Sequence, residues 1–300
     1  MSGQRGMIQM KRNLVFDIGL HEGNDAAYYL HLGYRVVGVE ANPLLADRCG
    51  RRFESEIRQG RMTVVNSGLL KEPGDFTFYR NLLDDGWSSF EPEKGRKGGG
   101  WEELVVSCVT TRQLIAEYGK PFFMKVDIEG VDIQALHSIT PDIAPAYVSL
   151  ELNDTDPILE RLIDLGYSTF KFVDGETYRP TPPIFDHQIV WRLLRKAGRL
   201  VPPVRKTISR LPQRLRPKSE WNPPGKYSPD GYPFAAHSSG PFGEQAAGSW
   251  LAADGALRWF RVLRDNYRRE GKERLLWWDV HARHSSALPT GSEPGANAIQ

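Results

Sequence analysis

Short apolar runs and amphipathic segments alternate along the first two thirds of the chain. The apolar runs contain few polar positions, which is typical of parallel strands that are covered on both faces. They predict strands at residues 14–18, 34–40, 62–66, 122–127, 146–152 and 167–173, with a further candidate at 188–191. Because helical segments separate most of these runs, we expect an α/β fold with a doubly wound, mostly parallel sheet of the seven-stranded type.

Two segments with a different pattern interrupt this alternation. Residues 75–79 alternate between polar and apolar positions, and residues 104–109 do so more loosely, so both predict half-exposed strands of an insertion. The loop between them holds a cluster of aromatic and hydroxyl residues at 84–90, followed by a stretch rich in Gly and Lys. Long loops of this kind are typically functional or disordered, so this one either borders a binding site or lacks a fixed structure.

The composition changes in the last third of the chain. Residues 192–218 contain many Lys and Arg, four prolines and no Asp or Glu. Such a run is typical of a solvated arm, and it would also suit an anionic surface or a charged substrate. Residues 219–248 predict a long loop, and residues 250–278 predict an amphipathic helix that packs on the core.

The overall composition limits the class of protein but does not indicate a function. The 300 residues carry a net charge of only +2, and 40% of them are hydrophobic, as in an ordinary globular protein. Cys49 and Cys108 are too few for a disulfide framework, and His281 and His284 are expected in a frayed tail, so we predict no metal site. With no signal-peptide pattern and no apolar run of membrane-spanning length, a cytoplasmic location is the expectation.

The first predicted strand ends in a glycine turn that carries a carboxylate. Asp17, Gly19 and Gly23 form a D-x-G-x-x-x-G pattern between this strand and a helix. A dinucleotide site has a G-x-G-x-x-G pattern, and a carboxylate inside the turn would repel a pyrophosphate. The turn therefore favours a ligand with a cationic amine or sulfonium, such as S-adenosyl-L-methionine, although a turn that only connects two elements fits as well. His21 lies inside the turn, and spacing alone gives it no role.

Polar residues also end the next predicted strands. Glu40 ends the second strand and can accept hydrogen bonds from both hydroxyls of a ribose. Asn66 ends the third strand, where it either contacts an adenine or simply turns the chain. Asp127 and Glu129 end the fourth strand, and Asp127 shares a face with Lys125. We predict that this pair acts as a general base, orients an acceptor hydroxyl or contacts the methionine part of the ligand; a favourable interaction with a helix dipole is the alternative, chiefly for Glu129.

These motifs resemble those of the FkbM-type S-adenosylmethionine-dependent methyltransferases. The resemblance covers about residues 12–175 and rests on Phe16-Asp17-Ile18-Gly19 through Gly23, Gly38-Val39-Glu40-Ala41-Asn42-Pro43, Val65-Asn66, Thr110-Thr111 and Lys125-Val126-Asp127-Ile128-Glu129-Gly130. It implies a Rossmann-like methyltransferase domain that binds S-adenosyl-L-methionine through Asp17, Gly19, His21, Gly23, Glu40 and Asn66. It also implies O-methylation of a sugar, a polysaccharide precursor or a natural product, without indicating which.

The resemblance, together with the changes of composition and pattern along the chain, suggests a division into five parts. These are an N-terminal tail at 1–12, the methyltransferase domain at 13–191, a basic and Pro/Gly-rich segment at 192–248, a helical extension at 249–284 and a disordered tail at 285–300.

Two other classes of function compete with an O-methyltransferase. A binding or docking protein could keep a degenerate cofactor crevice and contact an anionic surface through residues 192–218. A NAD-dependent dehydrogenase is disfavoured by Asp17 and by the glycine spacing. No nucleic-acid partner is expected, because the Asn-Pro-Pro-aromatic motif of base methyltransferases is absent: Asn222-Pro223-Pro224 is followed by Gly225.

Overall fold

A computed structural model describes residues 10–152, 157–175, 177–180, 226–269 and 278–287. The strands are β1 (Met10–Ile18), β2 (Arg35–Glu40), β3 (Met62–Asn66), β4 (Gly68–Leu69), β5 (Gly74–Asn81), β6 (Trp101–Val109), β7 (Lys120–Val126), β8 (Tyr147–Glu151), β9 (Tyr167–Asp174), β10 (Leu251–Ala252) and β11 (Trp278–His284). The helices are α1 (Asn24–His31), α2 (Pro43–Arg52), α3 (Glu54–Arg58), α4 (Pro92–Gly95), α5 (Thr111–Tyr118), α6 (Gln134–His137), α7 (Ile158–Asp164) and α8 (Ala253–Arg269).

The main sheet has the strand order β10-β9-β11-β8-β7-β1-β2-β3. Strands β3, β2, β1, β7 and β8 run parallel to one another, whereas β11 lies antiparallel between β8 and β9. The predicted α/β fold with a mostly parallel sheet is thus confirmed. The strand order reverses between β1 and β7, because β2 and β3 follow β1 on one side while β8 follows β7 on the other. In open α/β sheets, a ligand binds beside such a switch point, beyond the carboxyl ends of the strands.

Local sequence explains where the helices next to this edge begin. Asn42 caps α2 by accepting a hydrogen bond from the backbone N–H of Leu44, and Pro43 occupies the first turn. Thr110 and Gln113 form a reciprocal capping box at the start of α5. The helical segment that begins at Pro43 is divided at Phe53 into α2 and α3.

The predicted insertion forms a small second sheet. Strand β6 pairs antiparallel with β5 along its whole length and parallel with the short β4. The loop between β5 and β6 contains a short 3₁₀ turn at Asp85–Trp87 and the helix α4. This arrangement places the loop beside the carboxyl edge of the main sheet.

The main sheet is buried on both faces, as the apolar runs predict. One face carries Phe16, Met124 and Phe172, covered among others by α5, α7 and α8. The other face carries Val15 and Phe123, covered by α1 and by residues 226–250. Within residues 226–250, the Phe242 ring stacks on the Phe123 ring with 4.0 Å between ring centroids.

A row of buried polar side chains crosses the second face of the sheet. Neighbouring strands place its members directly beside one another in the order Asp17, Lys125, Ser149, His281 and Lys171. All five are buried, and residues 243–246 cover one end of the row, where the Lys171 ammonium donates to the Gly243 and Ala246 carbonyls. We call this set the polar row.

The C-terminal part differs from its prediction. The expected helix at 250–278 is shorter, because α8 spans Ala253–Arg269, and Trp278–His284 is a strand of the main sheet. The placement of His281 and His284 in a frayed tail is therefore wrong, since both are buried in β11. The pairing with β8 and β9 explains this difference: β11 supplies hydrogen bonds to both neighbours, which would otherwise be sheet edges.

Several predictions fall on residues outside the described part. These are the strand at 188–191, the basic segment at 192–218, the N-terminal residues 1–9 and residues 288–300 of the predicted disordered tail. The division into five parts therefore stays a prediction. Among the described residues, no helix combines the length and apolar character required to span a bilayer.

Candidate functional site

A crevice of about 430 Å³ opens at the carboxyl ends of β1, β2, β7 and β8. Its walls include the turn after β1, the end of β2 and the loop at 84–90 that follows β5. The loop thus borders the site, which was one of the two alternatives expected from sequence. His237 reaches the same crevice from the C-terminal cover.

The turn after β1 has a backbone that suits glycine. Gly19 and Gly23 have positive φ angles of 85° and 78°, and His21 adopts a φ of 49°. A Cβ atom on Gly19 would lie 1.8 Å from the backbone oxygen of Asp127. Gly19 therefore lets the turn contact the end of β7 directly, while Gly23 makes room for Phe53 of the α2–α3 junction.

Glu40 is held by the backbone on both sides. Its Oε2 accepts a hydrogen bond of 2.7 Å from the N–H of His21, and its Oε1 accepts one of 2.8 Å from the N–H of Asn42. Burial raises the pKa of Glu40, and these two N–H groups oppose the rise. Through its backbone, His21 thus orients the carboxylate that sequence analysis assigns to a ribose.

Asn66 lies at the end of β3, beside Glu40. Its side-chain amide donates a hydrogen bond of 2.9 Å to the backbone carbonyl of Glu40, and the residue is exposed. The neighbouring Ser67 and Gly68 line the crevice instead. Contact of Asn66 with an adenine stays a prediction.

Lys125 joins three carboxylates at the end of the crevice next to β7. Its ammonium lies 3.0 Å from Asp25, 3.4 Å from Asp127 and 3.6 Å from Asp17. Burial alone would lower the pKa of Lys125, but the carboxylates, Asp25 foremost, raise it well above its usual value. Asp17 is fully buried beneath the crevice, and burial raises its pKa to about 7 against the opposing effect of Lys125.

Glu129 follows β7 in a left-handed backbone conformation with a φ of 49°. Its carboxylate lies 3.5 Å from the ammonium of Lys94, and its carbonyl accepts a hydrogen bond of 2.7 Å from the Ser89 hydroxyl. Burial, followed by repulsion from Asp127, raises the pKa of Glu129 to about 7. The insertion loop therefore helps to hold the candidate reaction residue in place.

Asp132 stabilises the turn that carries Glu129. Its two carboxylate oxygens accept hydrogen bonds of 3.0 Å from the N–H of Ile128 and 3.1 Å from the N–H of Gly130. Burial, followed by repulsion from Asp127, raises the pKa of Asp132 to about 6.

Glu151 at the end of β8 completes a cluster of three carboxyl groups. Oxygen atoms of Asp127, Glu129 and Glu151 all lie within 4.8 Å of one another. Burial, followed by repulsion from Asp127, raises the pKa of Glu151 to about 9. The two predicted reaction residues thus lie together, with a third acidic group to which sequence analysis assigned no role.

Sequence reasoning missed several residues that the fold brings to this crevice. The alternation of side chains places Lys125 beside Asp127, but nothing local indicates that Asp25 contacts Lys125 or that His237 reaches the site. Asp25 also accepts the backbone N–H of Ser239, at 2.9 Å, across more than 200 residues of sequence. Only the tertiary fold brings these residues together.

Comparison with known proteins gives one extended match and several partial ones. The chain is 34% identical over 67 residues to the "Probable ribosomal RNA small subunit methyltransferase A" of Methanospirillum hungatei, a match covering 22% of this chain and 26% of that relative. The chain thus spans about a quarter of that relative's length.

Two solved structures are similar at 13% identity. One is a proposed RNA methyltransferase from Pyrococcus horikoshii (TM-score 0.29, covering 53% of this chain and 61% of that one). The other is the precorrin-6y C5,15-methyltransferase from Geobacter metallireducens (TM-score 0.30, covering 56% and 70%).

The extended match is to a protein family. Residues 17–199 match the family described as the methyltransferase FkbM domain. This range contains the turn after β1, Glu40 and the three clustered carboxyl groups. Because the match covers more than half of the chain, the protein belongs to the FkbM family of methyltransferases.

Proposed function

We propose that this protein transfers a methyl group from S-adenosyl-L-methionine to a hydroxyl oxygen of a sugar, a polysaccharide precursor or a natural product. The observation that carries the proposal is the pairing of two features in one crevice. At one end Glu40 is oriented by two backbone N–H groups, and at the other end Asp127, Glu129 and Glu151 cluster.

The residues present fit this cofactor. A carboxylate at the end of the second strand suits a ribose diol, and both oxygens of Glu40 keep lone pairs beyond their backbone hydrogen bonds. The acidic groups near Gly19 suit the amine and the sulfonium, because carboxylates attract positive charge. When bound, S-adenosyl-L-methionine would supply the methyl group.

The clustered carboxyl groups would serve the acceptor. A hydroxyl that gains a methyl group must lose its proton, and a general base works best when its pKa lies near the operating pH. The pKa of Glu129, raised to about 7, meets that condition. We assign proton removal to Glu129 and orientation of the acceptor hydroxyl to Asp127, with the insertion loop at 84–90 excluding water.

The acceptor class rests on the family resemblance. The name of the Methanospirillum relative concerns ribosomal RNA, but that match covers about a quarter of its length, so its substrate is not transferred to this chain. The alternative of a docking protein depends on residues 192–218, which lie outside the described part.

Calorimetric titration with S-adenosyl-L-methionine tests the proposal. We expect one binding site, and we expect Glu40→Gln to weaken binding about 10- to 100-fold, because hydrogen bonds to charged groups are worth about 1.5–3 kcal/mol. Glu56→Gln is the matched control, since Glu56 pairs with Arg61 away from the crevice. Absence of binding by the folded wild-type protein would overturn the enzyme assignment and favour the docking protein.

A further inference from the structure

We propose that Asp127, Glu129 and Glu151 bind a hard divalent cation, Mg²⁺ or Mn²⁺, at the reaction end of the crevice. Their oxygen atoms lie within 4.8 Å of one another. In an octahedral site with metal–oxygen distances of about 2.1 Å, adjacent ligands lie about 3 Å apart and opposite ligands about 4.2 Å apart. Small side-chain rotations would therefore close the three carboxylates around one ion.

A fourth acidic group provides an independent observation. Asp279 in β11 lies directly opposite Glu151 in β8, so both side chains project from the same face of the sheet. Its Oδ2 atom is buried and accepts no hydrogen bond from the part of the chain that the structure describes, and the residue is only 4% exposed. A buried carboxylate oxygen without a partner is costly, and a cation or one of its bound waters would satisfy it.

The balance of charge around the cluster also favours a bound cation. Seven carboxyl groups surround the reaction end and two ammonium groups, Lys94 and Lys125, face them. The seven are Asp17, Asp25, Asp127, Glu129, Asp132, Glu151 and Asp279. Lys125 already contacts three of these groups, and Lys94 contacts Glu129. Within the described residues, Glu151 and Asp279 have no ammonium or guanidinium group at ion-pair distance, so a divalent cation would supply the positive charge that lets these carboxyl groups ionise.

The type of ligand determines the type of ion. Three carboxylate oxygens, with neither a thiol nor an imidazole among them, are the donors that Mg²⁺ and Mn²⁺ prefer. Glu151 and Glu129 would release their protons when the ion binds, because a metal ligand must be deprotonated. The sequence prediction of no metal site rested on the absence of Cys and His spacing, and that test does not detect carboxylates contributed by different strands.

The cation would favour acceptors that carry two neighbouring oxygen atoms, and this consequence rests on the proposed function. Three protein ligands leave three octahedral positions, and two of them can accept neighbouring oxygens of one acceptor, such as a vicinal diol. The cation would lower the pKa of the bound hydroxyl, and its proton would pass to the oxygen of Glu129 that the ion does not hold. The resulting oxygen forms the bond to the methyl carbon while the carbon–sulfur bond breaks and its electron pair stays on sulfur.

Electron paramagnetic resonance of Mn²⁺ tests the site on the full-length protein after removal of metal with a chelator. We expect one Mn²⁺ per chain, a loss of affinity of at least 10-fold in Glu151→Gln and a smaller loss in Asp279→Asn. Glu103→Gln is the matched control, because Glu103 pairs with Arg96 on the insertion surface, and its affinity should equal that of the wild type. Thermal unfolding of each variant shows whether it folds, and Glu129→Gln replaces Glu151→Gln if the latter does not.

Two results would overturn the inference: no stoichiometric Mn²⁺ binding at millimolar concentration, or equal Mn²⁺ affinity in the wild type and in the cluster variant. Titration with S-adenosyl-L-methionine on the same samples separates the two proposals. Retained cofactor binding without Mn²⁺ binding would reject the cation site alone. Mn²⁺ binding without cofactor binding would reject the proposed function and leave the cation site standing.

Discussion

The backbone around Gly19 contacts both Glu40 and the residue that follows β7, Asp127. The N–H groups of Gly19 and Leu20 both donate to the Val39 carbonyl at 3.0 Å, which joins the turn to β2. The next N–H, from His21, orients Glu40, while the Cα of Gly19 packs against the backbone of Asp127. A shift of this one residue would therefore disturb both ends of the crevice.

A pair of glycine substitutions tests this coupling. Gly19 and Gly33 have the same φ of 85°, but a Cβ on Gly33 would meet no atom within 4 Å. Gly33→Ala should therefore cost only the left-handed strain of about 1–2 kcal/mol in the free energy of unfolding. Gly19→Ala adds a clash with Asp127, so it should destabilise more and weaken S-adenosyl-L-methionine binding. Urea denaturation and calorimetry measure both effects, and equal behaviour of the two variants would contradict the coupling.

Strand β11 shows at the level of elements what sequence patterns reveal and what they conceal. The strands β1, β2, β3, β7, β8 and β9 were predictable because each is an apolar run covered on both faces. Strand β11 alternates polar and apolar residues, with Asp279, His281 and Arg283 on one face and Val280 and Ala282 on the other. That alternation is itself typical of a strand. Its polar face, however, contributes to the buried polar row, and this row forms only when the strands of the sheet come together.

The residues of the candidate site divide in the same way, into those that local sequence predicts and those that only the tertiary fold brings together. Gly19, Glu40 and Asp127 were predictable, because the carboxyl ends of neighbouring parallel strands meet at one edge. Asp25, His237 and Asp279 depend on contacts between distant parts of the chain, such as the hydrogen bond from Ser239 to Asp25.

His281, in the middle of β11, should make stability depend on pH. Burial, followed by repulsion from Lys171, lowers its pKa from 6.5 to about 3. Below pH 6.5 the unfolded chain binds a proton that the folded protein does not, so stability falls as the pH decreases towards 3. Between pH 6.5 and pH 5 this group should cost about 2 kcal/mol of unfolding free energy.

Urea denaturation at several pH values measures this dependence. His281→Met cannot take up a proton and should lose that part of the acid destabilisation. His31→Met is the control for the substitution itself, because the His31 side chain is 56% exposed, and it should leave the stability at neutral pH close to that of the wild type. The assignment fails if His281→Met and the wild type lose stability in parallel on acidification.

At the scale of the whole molecule, the folded unit extends beyond the family match. The match ends at residue 199, whereas the main sheet requires β11 at Trp278–His284, and residues 226–250 cover the face that carries Phe123. The Phe242 ring, for example, lies between Phe123, Tyr29 and Tyr34. Residues beyond the match thus contribute to the core around the main sheet.

Truncation provides a direct test of this extent. A chain ending at residue 225 keeps the whole match, yet it loses the pairing partner of both β8 and β9. It should show no cooperative thermal transition by circular dichroism. A chain ending at residue 287 keeps β11 and should unfold like the full-length protein. Cooperative unfolding of the shorter chain would mean that residues 226–287 are dispensable for the fold.

The position of β11 also affects how the protein is made. Strands β8 and β9 leave the ribosome about a hundred residues before the strand that joins them. At synthesis rates of 5–20 residues per second, their facing edges stay unpaired for about 5–20 s. Unpaired strand edges are templates for association with other chains. During this interval the nascent chain presents two strand edges that can associate with other chains, whereas in the completed chain β11 covers both edges.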